Sequence, residues 1–434
     1  MIFPILLYTS YTLYSEQFFN QAISVFFFAV LGTLLNVFLT GVVLKYVYAD
    51  IWNPSMNLSH CFVFGSLISV GDPLAIRDVF RGVEAAKENF SLLFGVALVG
   101  YGVAMELFEA ANAVAVLGED ELITTFSYFY VAASTITDSV LGIIIGIICG
   151  LFSASITRCT SIESQYFEPL ITLGCALFGY LLCLDLGFSY IFSTISCGLV
   201  QERYTFMNMS PRSSMCTKNI IFGLAFLSED LMLILIGYLI VNIRSSTVWE
   251  FSLAVIITIT IVRVFTTLGI SLFLNSFKIS TIPFKWQLLL LFGGQRGPMS
   301  FAMVLTYIGP FHLLFQDTTL LVILISEMLG GIISKYLVAN MKMKLVVHRY
   351  NFLTSNCLDS LEQRIFQFFI TDEDMLTNVY RRHCKEEREL ALQMLQKHSY
   401  VTADGPKMDK TDECGEAIEM GEMSHNDGDV LNND

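Results

Sequence analysis

Charged residues are scarce in this sequence. Only 15% of its 434 residues are Asp, Glu, Lys or Arg, 54% are apolar, and the mean hydropathy is +0.61. A soluble domain of this size rarely has that balance. Several apolar runs, such as 22–44 and 253–274, approach or exceed the roughly 20 helical residues that cross a bilayer core. Because backbone groups in lipid must be paired internally, we predict an all-α polytopic membrane protein.

The sequence also lacks the motifs of common enzymes. It has no phosphate-binding loop, no convincing metal-ligand spacing and no nucleophile elbow. Its ten cysteines are scattered, and no two have the spacing of a metal or redox site. The first residues carry no basic region, so they do not predict an ordinary signal peptide. We therefore expect a protein that is not an enzyme and needs neither a metal site nor a cofactor.

The acidic charge is concentrated at one end. The net charge is -14, and residues 404–434 hold ten carboxylates against Lys407 and Lys410. Such a segment is typical of a solvated, disordered tail, and nucleic acid is not an expected partner. We predict three regions: a transmembrane domain at 1–341, a cytoplasmic amphipathic helical region at 342–403 and an acidic disordered tail at 404–434.

Hydropathy predicts eleven membrane segments. They are 2–14, 22–47, 60–80, 90–116, 124–157, 167–184, 188–202, 219–243, 248–275, 286–310 and 317–340. Lys and Arg concentrate in alternate loops, which by the positive-inside rule are cytoplasmic. This orientation predicts a cytoplasmic C-terminus and an N-terminus that is outside or lumenal. The sequon at Asn57 then faces outward and is a candidate for glycosylation.

Helix breakers interrupt two of these segments. The third contains Gly71-Asp72-Pro73, and the tenth contains Gly293-Gly294-Gln295-Arg296-Gly297-Pro298. The two segments lie seven apart and so cross the membrane in opposite directions, as in an inverted repeat with paired broken helices. Two unrelated kinks are the alternative interpretation.

Ionisable residues inside apolar runs are costly and are therefore functional candidates. They are Asp72, Glu106, Asp138, Glu229, Asp230, Arg263, Arg296 and Glu327. Asp138 is placed near a segment end, and Glu327 is interpreted as a structural partner of an arginine. Arg263 and Arg296 are expected to keep facing carboxylates charged, with Glu229 as a partner.

Asp72 is the first choice for an ion-facing carboxylate. Gly71 and Pro73 break the helix beside it and leave backbone groups free to bind a desolvated cation. A buried carboxylate that accepts either a proton or a cation, but not readily both, suffices for proton-coupled exchange. The alternative roles are to cap a half-helix or to pair with Arg296.

At these residues the chain resembles the eukaryotic sodium/proton exchanger family, from about residue 1 to 344. The matching runs are Phe64-Gly65-Ser66-Leu67-Ile68-Ser69, Asp72-Pro73, Cys197-Gly198-Leu199-Val200, Arg203-Tyr204, Phe226-Leu227-Ser228-Glu229, Arg263 and Gly293-Gly294-Gln295-Arg296-Gly297. The resemblance implies a cation/proton antiporter fold with two crossing broken helices. It also implies thirteen membrane helices, of which this chain would hold the third to the thirteenth, and a dimerisation domain that makes a homodimer an expected state.

One motif departs from the family. Where the family has Gly-Glu-Ser-Leu-Leu-Asn-Asp, this chain reads Gly95-Val96-Ala97-Leu98-Val99-Gly100-Tyr101, so Tyr101 replaces the essential cation- and proton-binding aspartate. A phenol, whose reference pKa is about 10, supplies a neutral oxygen in place of a charged ligand. Two hypotheses remain: an antiporter of sodium or potassium against protons that uses Asp72 with Glu229, Asp230 or Glu106, contributing to pH and cation homeostasis, or a transport-incompetent regulatory partner of an exchanger.

The segment from Leu358 to Phe369 has one apolar helical face. It loosely resembles the tail helix by which family members bind EF-hand proteins. Packing on the membrane domain or on lipid is the alternative. Plasma membrane and endomembranes both fit the sequence.

Overall fold

The computed structural model describes the membrane part of the chain. The described residues are 2–13, 18, 21–49, 56–69, 71–80, 87–119, 125–159, 166–241, 243, 246–277 and 282–340. The predicted regions 342–403 and 404–434, and with them the segment at 358–369, lie outside these residues. Within the described ranges every regular element is a helix.

We number the helices in chain order. They are α1 (Ile2–Thr12), α2 (Ala22–Phe26, Phe27–Leu31, Gly32–Val43 and Leu44–Ala49 in succession), α3 (Leu58–Ser69), α4 (Pro73–Phe80), α5 (Lys87–Glu119), α6 (Thr125–Cys159), α7 (Glu168–Leu186), α8 (Tyr190–Val200), α9 (Pro211–Val241), α10 (Ser246–Ser276), α11 (Phe284–Phe292), α12 (Pro298–Thr306) and α13 (His312–Asn340). The second and fourth pieces of α2 are π-helical, and α8 continues through a π-helical turn, Gln201–Thr205, into Phe206–Asn208.

Eight spans in the described residues are long and apolar enough to cross a membrane. They lie in α2, α3 with α4, α5, α6, α7, α9, α10 and α13. The other three predicted segments correspond to shorter elements: α1, α8 and the pair α11 and α12. The count of eleven crossings therefore stays a prediction. Large apolar side chains such as Phe152, Ile234 and Phe265 are exposed on the long helices, which suits a surface in contact with lipid.

Small residues allow α8 to pack closely on α6. Three glycines, Gly142, Gly146 and Gly150, recur every fourth residue on α6, where a Cβ atom would meet atoms of α8 or of Ser189 just before it. Such a row is typical of close helix contacts in membranes. The hydroxyl of Ser196 on α8 donates to the Ile143 carbonyl across this contact, at 3.2 Å.

Three buried polar residues connect α1, α7 and the π-helical turn after α8 by hydrogen bonds. The Tyr11 hydroxyl donates to Gln201 Oε1 at 2.6 Å, and Gln201 Nε2 donates to the Thr172 carbonyl at 2.9 Å. All three side chains are buried. We call these residues the Gln201 triad. Because each of these hydrogen bonds is made between different elements, the triad fixes the position of α1 against its neighbours.

Candidate functional site

The two helix breaks meet inside the helical bundle. The first separates α3, which ends at Ser69, from α4, which begins at Pro73, and the second separates α11 from α12. The Asp72 amide donates to the Gln295 carbonyl at 2.9 Å, so a residue of one break binds the backbone of the other. A Cβ atom on Gly71 would lie 3.9 Å from Gly294 Cα. The two broken helices therefore cross at their breaks.

The breaks follow from local residue chemistry. Pro73 and Pro298 each stand at the first position of the half-helix that follows, where a missing N–H costs nothing and the fixed φ favours helix. Gly297 precedes α12 in an extended conformation, with φ -135° and ψ -161°. The five predicted breaker residues, Gly71, Pro73, Gly294, Gly297 and Pro298, all lie in the two breaks or at their edges.

Asp72 lies at the centre of this crossing. Its side chain is 1% exposed, and its Oδ1 atom accepts a hydrogen bond from the Leu74 amide at 2.9 Å. Asp72 thus caps α4, as one of the alternative roles predicted. Within the described residues no arginine lies within ion-pair distance of Asp72, so the alternative of a pair with Arg296 is absent from this part of the chain.

A second carboxylate faces Asp72. A Cβ atom on Gly297 would overlap the Asp72 carboxylate and would lie 2.7 Å from Glu327 Oε1. Asp72 on one broken helix and Glu327 on α13 therefore converge on the same glycine. The sequence interpreted Glu327 as an arginine partner, but among the described residues no arginine lies within ion-pair distance of it, and Asp72 and Glu229 lie within its electrostatic range.

Glu229 on α9 is held by Arg77 instead of by Arg263 or Arg296. The distance between Arg77 Nη2 and Glu229 Oε2 is 3.6 Å, and Arg77 also lies 3.0 Å from Asp78 Oδ1. The predicted partnership of Glu229 is corrected here because α4 continues to Phe80. That helix carries Arg77 toward α9. Glu229 also lies within electrostatic range of Asp72, and the half-buried Asp230 is next to it.

The two other arginines bind backbone carbonyls near the end of α11. Arg263 Nη2 donates to the Leu290 carbonyl at 3.2 Å, and Arg296 Nη1 donates to the Gly294 carbonyl. Carbonyls at a helix C-terminus carry partial negative charge, which favours a nearby cation. A Cβ atom on Gly294 would overlap the Arg263 guanidinium, so a glycine is needed at this position.

Tyr101 and Glu106 lie on α5 and do not join the pair of Asp72 and Glu327 by direct contact. Tyr101 is completely buried, and its hydroxyl has no hydrogen-bond partner among the described residues. Glu106 is 7% exposed and has Ser189, Glu109 and Asp138 as its polar neighbours. Asn57, the glycosylation candidate, is exposed immediately before α3, as its modification would require.

The sequence drew attention to Asp72 and to both breaks but not to the closeness of Glu327 and Asp72. The only signal for Glu327 was its position inside an apolar run. Asp72 and Glu327, with Glu229 in electrostatic range of both, form a site of carboxylate oxygens, which can bind a proton or a small cation.

Comparison with known proteins agrees with this geometry. Residues 1–339 match the family described as "Sodium/hydrogen exchanger, transmembrane". The chain is 30% identical to Na(+)/H(+) exchanger protein 7 of Caenorhabditis elegans over 309 residues, which are 69% of this chain and 39% of that protein. It is also 30% identical to human sodium/hydrogen exchanger 5 over 354 residues, 80% of this chain and 39% of that protein. The chain thus matches about two fifths of the length of these relatives.

The fold also has a counterpart among solved structures. The sodium proton antiporter MjNhaP1 of Methanocaldococcus jannaschii matches 78% of this chain and 83% of its own, with a TM-score of 0.61 and 17% identity. This likeness confirms the predicted class, an all-α polytopic membrane protein with the fold of a cation/proton antiporter. With a family match over residues 1–339 of 434, the chain belongs to the sodium/hydrogen exchanger family.

Proposed function

We propose that this chain is a secondary active antiporter that exchanges sodium or potassium for protons across a membrane and contributes to pH and cation homeostasis. One observation carries the proposal: two carboxylates, of Asp72 and Glu327, converge on Gly297 at the crossing of two broken helices. The names of the relatives support the same activity.

Exchange needs one site that binds either a proton or a cation, but not both at once. A desolvated alkali cation takes oxygen ligands, which the two carboxylates supply. Protonation of either carboxylate removes a charged ligand, so a bound proton and a bound cation exclude each other. Alternate exposure of such a site to the two sides of the membrane couples the two gradients.

Arg77 and Glu229 set the charge beside this site. Because Arg77 pairs with Glu229 and Asp78, it does not neutralise Asp72 by direct contact. The carboxylate of Asp72 therefore keeps its capacity for an exchangeable cation. A permanently ionised guanidinium cannot carry the proton, so we assign Arg77 a positioning role.

The test is a flux assay with the purified chain in proteoliposomes. A pH gradient should drive sodium or potassium movement in the wild type, and Asp72→Asn should reduce it to the background of empty vesicles. Asp185→Asn is the matched control, because it makes the same substitution at an exposed position near the end of α7, and it should keep wild-type flux. Equal flux in Asp72→Asn and wild type would remove Asp72 from the mechanism.

The second candidate function is a transport-incompetent partner of a true exchanger. Tyr101 favours it, because a neutral, fully buried hydroxyl stands where the family motif has its essential aspartate. Absence of pH-driven sodium and potassium movement in wild-type proteoliposomes would eliminate antiport. Co-reconstitution with a competent exchanger would then be expected to change that exchanger's flux.

Assembly and location belong to the same proposal. We expect a homodimer in lipid, with the N-terminus outside or lumenal and the C-terminus cytoplasmic. We also expect the segment from Leu358 to Phe369 to bind an EF-hand protein. Cross-linking in membranes, protease protection of the two termini and calcium-dependent capture of the full chain test these expectations separately.

A further inference from the structure

A small cavity lies beside the helix crossing, between α2, α5, α10 and the break before α12. Its volume is about 50 Å³. A water molecule in the liquid takes about 30 Å³, so the cavity holds one or two small species and no larger organic molecule. The residues that line it include Thr33, Asn36, Val96, Gly100 and Arg263.

Positive charge dominates this cavity. Arg263 lines it, and the Nε atom of Arg263 is buried with no hydrogen-bond partner among the described residues. Arg296, 3% exposed, lies within electrostatic range and adds a second guanidinium. In the described ranges neither arginine has a carboxylate within ion-pair distance. The carbonyls of Leu290 and Gly294 carry only partial negative charge, so they offset part of this positive charge. A buried ion without a full counter-charge has a large desolvation cost.

The wall that α5 contributes has no acidic group. Val96 and Gly100, which line the cavity from α5, carry no charge. Opposite them, the Asn36 side-chain oxygen accepts a hydrogen bond from the Thr266 hydroxyl at 2.8 Å, which leaves the Asn36 amide nitrogen to donate. The cavity wall therefore carries a guanidinium, an amide and the Thr33 hydroxyl, a set of donors that suits an anion.

We propose that this cavity binds one small monovalent anion, chloride, with Arg263 as its main ligand and Asn36 and Thr33 as hydrogen-bond donors. Chloride would supply the counter-charge to Arg263 that the cavity lining lacks. The proposal goes beyond ion exchange at Asp72 and stands independently of it, because its test measures anion binding and not flux.

The experiment uses the full chain purified in detergent. Equilibrium dialysis with radioactive chloride should reveal one saturable site per chain, from which bromide competes and gluconate does not. At constant ionic strength, saturating chloride should raise the thermal unfolding midpoint over gluconate by about 2 °C or more, because a ligand that binds only the folded state stabilises it. Absence of a saturable chloride site in the wild type would overturn the proposal.

Two variants locate the site. Arg263→Gln should lose chloride binding and the chloride-dependent rise in midpoint, whereas Arg77→Gln, the matched loss of another membrane arginine, should keep both. Gly100→Val keeps Arg263 but fills the cavity, since a Cβ there would lie 3.4 Å from Thr33 Oγ1, and should weaken chloride binding at least about tenfold. Wild-type affinity in either Arg263→Gln or Gly100→Val would place the anion elsewhere and overturn the assignment. If Arg263→Gln does not fold, Gly100→Val decides the location.

Discussion

Two buried polar regions of this membrane domain differ in how their polar groups are paired. In the Gln201 triad, Tyr11, Gln201 and the Thr172 carbonyl form two direct hydrogen bonds of 2.6 Å and 2.9 Å between separate elements. At the helix crossing, carboxylates lie beside carboxylates and two arginines bind only backbone carbonyls in the described residues.

The difference separates a fixed scaffold from a site that can change its occupancy. A satisfied buried network stabilises one arrangement, because any rearrangement leaves a donor or acceptor unpaired. Carboxylates that converge without a fixed cation gain from a bound proton or metal ion, so their best partner is exchangeable. We therefore expect substitutions in the triad to change stability and substitutions at the crossing to change transport.

The largest effect is expected for Gly297→Ala. Its new Cβ atom would overlap the Asp72 carboxylate and crowd Glu327, so exchange should fall to background, and the unfolding midpoint should also drop. Flux in proteoliposomes and a thermal melt measure the two consequences. Gly174→Ala on α7 is the matched control, because its Cβ atom would meet nothing within 4 Å. Normal flux in Gly297→Ala would contradict the assignment of the site to this crossing.

The next effect is a loss of stability without a loss of exchange. Gln201→Leu leaves the Tyr11 hydroxyl buried without its partner, whereas the Thr172 carbonyl keeps its bond within α7, so the variant should cost about 1 to 3 kcal/mol. Flux per folded molecule should stay close to wild type.

A double variant controls that prediction. Adding Tyr11→Phe to Gln201→Leu removes the stranded hydroxyl, so the double variant should recover part of the lost stability. Additive losses in the double variant would show that the two side chains do not act together. A loss of flux per folded molecule in Gln201→Leu would contradict the prediction that the triad affects stability and not transport.

A smaller effect is expected for the ion pair beside the crossing. Glu229→Gln should reduce exchange by about tenfold, because Arg77 then keeps only Asp78 as a partner and more of its charge acts on Asp72. Arg77→Gln together with Glu229→Gln should recover part of that loss, since both charges are gone. Initial rates of cation-driven proton movement measure both variants. Identical rates in Glu229→Gln and the wild type would exclude this positioning role.

Sequence reasoning located the helix breaks and Asp72 but not the partners of the charged residues. Gly and Pro act on the backbone within one or two residues, so Gly71, Pro73 and Pro298 can be interpreted locally. The nearness of Glu327 to Asp72 depends on how α13 is rotated against the crossing, which no local pattern records. The pair of Arg77 and Glu229 likewise depends on how α4 packs against α9.

The smallest expected effect is the difference in stability between variants of two buried tyrosines, Tyr101 and Tyr11. Tyr101→Phe removes a hydroxyl with no hydrogen-bond partner in the described residues, so stability should stay within about 0.5 kcal/mol of wild type or rise. Tyr11→Phe removes the donor to Gln201 and should cost about 1 to 2 kcal/mol. Thermal melts of the two variants, made side by side, measure this contrast. The Tyr101 variant also tests a role of this side chain in transport. Unchanged flux would exclude the Tyr101 hydroxyl as an ion ligand, and a clear fall in flux at unchanged stability would place Tyr101 in the ion pathway.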